Sequence, residues 1–338
     1  MYITLKNDIM RKIYDGIYKD GETIPSERIL ADDYKMSRDT VRKALNLLEN
    51  DRIIHRKLGK GTIVSLNKNG YPGGLDIIAF VAPAQRRFFA TFIDYFQRIA
   101  DKHHSLVVFV QQSKHEPIKD TLFKLLLNNI HNVVIWLDYE TISSQYVQRL
   151  RGLGMNIVFF DITVNSPYAD CVCLDNQDAI TSLYRYVEKK NKKGIAYITR
   201  ENTNPTSYQE RENEFQKLLP GGIVWCFPWD FKNYLANNTD KFTFDYFYRT
   251  YKPSSVICSD GELGTALKKS LIQNNINDVL LVSLDDFEEC EELGITVYRQ
   301  PYALFAEKIF HCLMEQNLNS LNWKAEMYHV KGELIVRD

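Results

Sequence analysis

At 338 residues, with 45% apolar and 25% charged side chains, the chain is long enough for two or three domains around a sizeable buried core. A formal net charge of −1 excludes a polycation that coats nucleic acid or membrane by charge alone. The six cysteines are scattered without a Cys-x-x-Cys pair, so buried thiols are expected and no metal. No run approaches the roughly 18 uncharged apolar residues of a membrane span, and the first residues carry no apolar signal core, so a cytoplasmic location is expected.

Charge is unevenly placed: residues 1–66 carry 13 Lys and Arg against 10 Asp and Glu, the remainder 29 against 33. A basic end on an acidic body suits a small nucleic-acid module joined to a larger partner domain. In chain order, Leu5, Ile9 and Ile13 are the apolar stripe of a first helix, ended by Gly16; Gly21 permits a turn. Pro25-Ser26-Glu27 opens a second helix capped by Ser26, with Ile29, Leu30 and Tyr34 inward. Lys35-Met36 turns tightly into a third helix capped by Ser37. Val41, Ala44, Leu45 and Leu48 recur there at i, i+3, i+4 and i+7, opposite Arg38, Asp39, Arg42, Lys43 and Asn46. Two helices joined by a short turn, the second polar and basic at its start, is a helix-turn-helix whose second helix reads base edges. Ile53–Lys57 and Gly61–Ser65 flank Leu58-Gly59-Lys60 as a basic hairpin, a wing. Its glycines let backbone approach the sugar-phosphate wall, and Lys57 or Lys60 can reach phosphate. The fragment Gly59-Lys60-Gly61-Thr62 lacks the upstream glycine and following helix of a nucleotide loop.

The run Gly16, Gly21, Pro25-Ser26-Glu27-Arg28, Leu30-Ala31, Ser37-Arg38, Thr40-Val41-Arg42, Ala44-Leu45, Leu48-Glu49 and Gly59-Lys60-Gly61-Thr62 resembles the GntR winged helix-turn-helix over nearly all of residues 2–65. The resemblance implies contacts to double-stranded operator DNA from Arg28, Ser37, Arg38, Thr40, Arg42, Gly59 and Lys60, with Gly61 beside them. Asp39 stands where the family often has Thr, placing a carboxylate toward the groove, where it accepts from a cytosine amino group or orients a neighbouring Arg. Asp51-Arg52 replaces the usual acidic-Gly pair before the wing.

Residues 67–76, with three Gly and one Pro, read as a linker. From Ile77 the pattern becomes apolar runs alternating with amphipathic segments: Ile77–Ala82, Leu106–Val110, Val133–Leu137, Ile157–Phe160, Cys171–Leu174, Ile195–Thr199, Ile223–Trp225, Val256–Cys258, Val279–Leu284 and Thr296–Tyr298. Near-continuous apolar strands separated by helices mean α/β architecture with parallel sheets flanked by helices, and so many strands suit two lobes. Ligands bind beyond the carboxyl ends of such strands, here in the cleft between lobes.

This half resembles the LacI-type effector domain, of the periplasmic-binding-protein fold. The resemblance rests on Ile77 to Pro83 with Phe88-Phe89, Ile157 to Asp161, Asp175-Asn176, Gly194 to Ile198, Glu210-Arg211, Ser259 to Gly264, Leu284-Asp285-Asp286 and Arg299-Gln300-Pro301. A GntR-type head on such a body is the architecture of AraR-like regulators. The resemblance implies a first lobe of about 77–163 plus 299–322 and a second of about 164–298 plus 323–338. It implies a cleft lined by Phe88 or Phe89, Asp161, Arg211, Ser259 or Asp260, Asp285 and Gln300, although Ser259 stands where Asn is common. Trp136 and Trp229, at or beyond strand ends, are further candidates to cover a sugar face.

No Gly-x-Ser-x-Gly, His-Glu-x-x-His, Walker loop or dinucleotide fingerprint is present, so no catalysis and no cofactor are expected. The expected function is a homodimeric transcription regulator, a repressor of carbohydrate-utilisation genes released by a sugar. A purine or other effector, or an enzyme bearing a DNA-binding appendage, stay open as alternatives.

Overall fold

The computed structural model describes all residues except 67–73, 84–86, 113–115, 138–141, 191–193, 202–205, 228–243, 320–321 and 338. The expected linker therefore lies mostly outside the described residues, as does Trp229.

The first 66 residues form helices α1 (Tyr2–Tyr14), α2 (Glu27–Asp33) and α3 (Arg38–Asn50), then strands β1 (Ile54–Lys57) and β2 (Gly61–Val64). Side-chain caps set two helix starts: Ser26 Oγ accepts from Ile29 N, and Ser37 Oγ from Thr40 N. Val41, Ala44, Leu45 and Leu48 are fully buried on α3, the stripe their spacing requires. Lys35 turns left-handed at φ +51 between α2 and α3. Ile29, expected inward, is 46% exposed; on this short helix Leu30 and Ala31 form the buried edge instead.

The body follows as β3 (Ile77–Ala82), α4 (Arg87–Lys102), β4 (Leu106–Gln111), α5 (Ile118–Leu127), β5 (Asn132–Ile135), α6 (Ser144–Gly152), β6 (Asn156–Phe160) and β7 (Asp170–Leu174). Then come α7 (Asn176–Lys189), β8 (Ile195–Arg200), α8 (Thr206–Leu218), β9 (Ile223–Phe227), α9 (Phe244–Tyr251), β10 (Ser255–Cys258) and α10 (Gly261–Gln273). The chain continues through β11 (Leu280–Leu284), α11 (Glu288–Glu292), β12 (Thr296–Arg299), α12 (Tyr302–Leu318), β13 (Met327–Val330) and β14 (Glu333–Ile335).

Two six-stranded sheets result, ordered β13-β7-β6-β5-β3-β4 and β14-β12-β11-β10-β8-β9. Every pairing is parallel except β12 with β14. Helical crossovers explain the parallel order, since parallel neighbours need a covering connection. Sheet membership corrects the expected lobe limits. Cys171–Leu174 pairs with Phe159 and Phe160 and with 327–330, so 164–174 and 323–330 join the first lobe. The chain crosses over after Leu174, once β7 has completed the buried side of the first sheet. Edge strand β4 is half exposed, with Leu106 57% and Phe109 39% accessible, so it lacks the two-sided cover expected of its apolar run.

One hydrophobic core runs from α1 and α3 through the first sheet and α12; a second fills the outer part of the other lobe. A buried polar network ties α12 in place. Arg151 Nη1 donates to Gln316 Oε1 (3.1 Å), and Gln316 Nε2 donates to Asp170 (2.7 Å). The six cysteines are free thiols; five are buried and Cys226 is half-buried.

Candidate DNA-reading head and inter-lobe cleft

Recognition-helix side chains Ser37, Arg38, Asp39 and Arg42 are exposed, as are Arg28 on α2 and Lys57, Gly59, Lys60 and Gly61 on the wing; Thr40 is half-buried. Ser37 serves the helix first: its Oγ caps α3 and lies 2.8 Å from Thr40 Oγ1. Arg42 bonds Glu27 at 3.2 Å and lies 3.6 Å from Asp39. Asp39 thus lies within ion-pair reach of the Arg42 guanidinium, whose hydrogen bond goes to Glu27. Gly59 and Gly61 take φ of +75 and +85, which tight turning of the wing requires. Arg52 also sits left-handed at φ +59, at the position where the related pattern has glycine.

Arg56 was not legible as a structural residue. Its guanidinium donates to Asn46 Oδ1 at 2.7 Å and pairs with Glu49 at 3.3 Å and Glu27 at 3.8 Å. It clamps the wing against the recognition helix, so a basic wing residue is consumed in positioning. A charge at the start of a β-ribbon opposite an i+3 pair of Asn46 and Glu49 was the available signal.

Between the lobes lies a narrow cleft of about 40 Å³, lined by Phe88, Trp136, Asp161, Arg200, Tyr208, Arg211, Asp260, Glu262, Asp285, Phe287 and Gln300. All six carried-over positions or pairs stand here in at least one member, together with Trp136. Phe89 does not line it: the ring is 2% exposed and packs on Phe80 and Trp136, with centroids 5.7 and 4.5 Å away. Ser259 does not line it either; its carbonyl accepts from Arg211 Nη1 at 3.1 Å. Arg200, Tyr208, Glu262 and Phe287 are the lining residues that sequence reasoning missed.

The cleft is built from strand ends. Asp161 follows β6 and Asp285 follows β11, and both take left-handed φ, +52 and +65. Non-glycine residues persist in that region at a cost of about 1–3 kcal/mol, and such strain collects at functional sites. Asp285 accepts from Gly261 N (3.2 Å) and Gln300 Nε2 (2.5 Å). Gly261 allows this approach, because an added Cβ there would stand 2.6 Å from the Phe287 ring. Asp260 caps α10 through Leu263 N and takes both arms of Arg200, at 2.7 and 2.8 Å.

Arg211 is 3% exposed and donates from Nε to Asn176 Oδ1 at 2.7 Å. Its Nη2 and Asp161 Oδ1 face one another at 4.0 Å, too far for a direct hydrogen bond. Both atoms, and Gln300 Oε1, are buried without a hydrogen-bond partner among the described residues. Burial pushes the Asp161 carboxyl up to about 6, against the opposing pull of Arg211. Burial likewise raises Asp285. Burial alone would lower Arg211, but the carboxylates of Asp161 and Asp285 outweigh it. The site therefore holds acceptors and one donor in a buried, strained arrangement suited to bridging hydroxyl groups.

Residues 1–64 match the profile of bacterial regulatory proteins of the gntR family. They are a GntR-type DNA-binding head. Over 67 residues this head is 40% identical to an arabinose metabolism transcriptional repressor of Geobacillus stearothermophilus, covering 20% of this chain and 18% of that protein. The chain spans less than a third of the length of the curated relatives that it matches first. The body superposes on a periplasmic binding protein/LacI transcriptional regulator from Alkaliphilus metalliredigens complexed with D-xylulofuranose. The TM-score is 0.65 at 14% identity, over 78% of this chain and 98% of that one. A CelR regulator–cellobiose complex superposes at TM-score 0.64 and 16% identity over 89% of each chain. At these identities the likeness establishes a shared LacI-type fold. Among the described residues no helix is long and apolar enough to cross a membrane, and no group of three or more His, Cys, Asp or Glu could hold a metal ion.

Proposed function

We propose that this chain is a dimeric, sugar-responsive transcriptional repressor acting in the cytoplasm, and not an enzyme. The GntR-type head reads operator DNA through Arg28, Ser37, Arg38, Asp39, Thr40 and Arg42, while Lys57, Gly59, Lys60 and Gly61 of the wing meet the backbone. A sugar enters the inter-lobe cleft and releases the head from its operator. The observation that carries the reading is the pairing, in one chain, of this head with a cleft whose Asp161 Oδ1, Arg211 Nη2 and Gln300 Oε1 are buried and unpartnered among the described residues.

A hydroxyl placed between Asp161 and Arg211 donates to one and accepts from the other, which relieves both deficits at once. Arg200 is held by Asp260, and the cleft carries four carboxylates, Asp161, Asp260, Glu262 and Asp285, against two arginines. That favours a neutral polyol over an anion. Phe88, Trp136 and Phe287 supply apolar faces for the other side of a ring. Names of relatives point the same way, toward arabinose and cellobiose. Support for a dimer through the first lobes comes from Leu106 and Phe109, exposed on the edge strand β4.

Thermal-shift screening across monosaccharides, disaccharides, sugar phosphates and purines tests the cleft. A neutral sugar should raise the melting temperature in a concentration-dependent way. Asp285→Asn should remove that response and leave DNA binding intact. Stabilisation by a purine alone, or an unchanged sugar response in the variant, would refute this reading.

A further inference from the structure

The most extensive feature outside both sites is the seam where the head meets the first lobe. Tyr14, near the end of α1, is fully buried. Its hydroxyl donates to the Lys119 carbonyl at 2.8 Å at the start of α5. Its ring stacks on Phe123 of α5 with centroids 5.2 Å apart and meets Tyr146 of α6 edge-on at 5.7 Å. Arg11, one turn earlier, pairs with Asp120 at 2.7 Å while its guanidinium lies 5.1 Å over the Phe123 ring. At Gly16 a Cβ would stand 2.2 Å from Arg149 Nη1, and at Gly152 one would stand 2.8 Å from Leu66. Backbone of each domain thus runs against a side chain of the other. The head's core is continuous with that of the first lobe.

Cavities of about 300 and 430 Å³ flank this seam, each lined from both domains. A close-packed interior resists movement because every displacement opens a void or makes a clash; a seam with open space on both sides gives way far more readily. The helices beneath the head are also the ones that position the cleft. α5 leads into β5, which Trp136 follows, and α6 connects that strand to β6, which Asp161 follows. Trp136 Nε1 donates to Asp161 Oδ2 at 3.4 Å, which links the two strand ends.

We propose that the head is docked on the first lobe through α1, with Tyr14 as the pivot, and that this seam couples the cleft to the recognition helix. The coupling half of the proposal rests on the functional reading above; the docking half stands without it. Coupling between sites is reciprocal, so DNA at the head must alter the cleft walls as much as a cleft ligand alters DNA affinity. This permits a test with DNA as the probe.

Hydrogen exchange would be followed in the 338-residue chain, alone and bound to a duplex that the wild type selects from random sequence. Without DNA, α1 amides should be protected as strongly as those of β5, and Asp120→Arg or Tyr14→Ala should speed α1 exchange about tenfold or more. Fast exchange of α1 in the wild type would overturn docking. With DNA, exchange in 144–152 and 157–162 should change by about fivefold or more in the wild type and in Tyr14→Phe, which keeps the ring stacking. In Asp120→Arg that change should vanish while DNA affinity stays within about threefold. Asp120 is partly exposed, so this variant folds even where Tyr14→Ala does not. A DNA-induced change that persists in Asp120→Arg, or none in a wild type that binds the duplex, would overturn the coupling. Failure to select any duplex would instead strike the DNA-reading function, leaving the docking result standing.

Discussion

Replacing Asp161 by Asn should make the protein more stable at neutral pH, and the size of the gain should depend on pH. The carboxyl is buried at a strained strand end, with one oxygen accepting from Trp136 and the other unpartnered among the described residues. Its pKa rises from 3.8 to about 6 on folding, chiefly through burial. A raised carboxyl pKa means that the folded state binds the proton more tightly than the unfolded state. Wild-type stability is therefore unpenalised below the unfolded value and declines as pH rises toward the folded one. At about 1.4 kcal/mol per pKa unit, ionisation costs about 3 kcal/mol by pH 7. Asn cannot ionise and escapes this cost. Urea unfolding of both proteins at half-unit steps from pH 4 to 7.5 measures the difference directly. The advantage of the variant should grow by up to about 3 kcal/mol across that interval, then level off. A flat difference, or one that shrinks with pH, would show that Arg211 compensates the carboxylate fully and that the cleft stores no such penalty. The variant should at the same time lose its sugar response, the usual exchange of stability for function.

Other substitutions separate reading, gripping and folding. Arg38→Ala should weaken operator binding by about 1–3 kcal/mol and relax selectivity at one base position, measured by anisotropy against single-base operator variants. Lys60→Ala should weaken all sequences about equally and lower the salt-dependence slope by about 0.9. Arg151→Ala should cost about 3–5 kcal/mol in urea unfolding, because it strips the buried donor from Gln316 and Asn156 and the nearby positive charge that favours the Asp170 carboxylate; a loss under about 1 kcal/mol would mean that the network relaxes without it.

The head was legible nearly residue by residue because its signals are local. Caps at Ser26 and Ser37, the stripe Val41-Ala44-Leu45-Leu48, and glycines at the wing turn all act within a few positions. Even so, Ile29 faces outward, since a seven-residue helix has too little face for a third anchor. In the body the ten apolar runs all became strands. β13 and β14 went unseen because sequences as short as MYHV and ELI acquire their state only from distant partners, Cys171–Leu174 and Val297–Arg299. Those late returns also move the lobe limits, which no local pattern marks. Periodicity could have separated the adjacent phenylalanines: Phe89, Phe92 and Phe96 recur at i, i+3 and i+7 and all are buried, which leaves Phe88 for the cleft. Arg200 had a signal as well, a cation closing an otherwise apolar strand. The Arg151 network had none, as its partners lie up to 165 residues away.

The most direct test of the central claim is an anisotropy titration of labelled operator duplex with the protein, repeated with each neutral sugar that stabilises it. At least one sugar that raises the melting temperature should weaken operator binding by about 5- to 150-fold, and Asp285→Asn should abolish the shift. A sugar that binds the cleft without changing operator affinity would contradict the account.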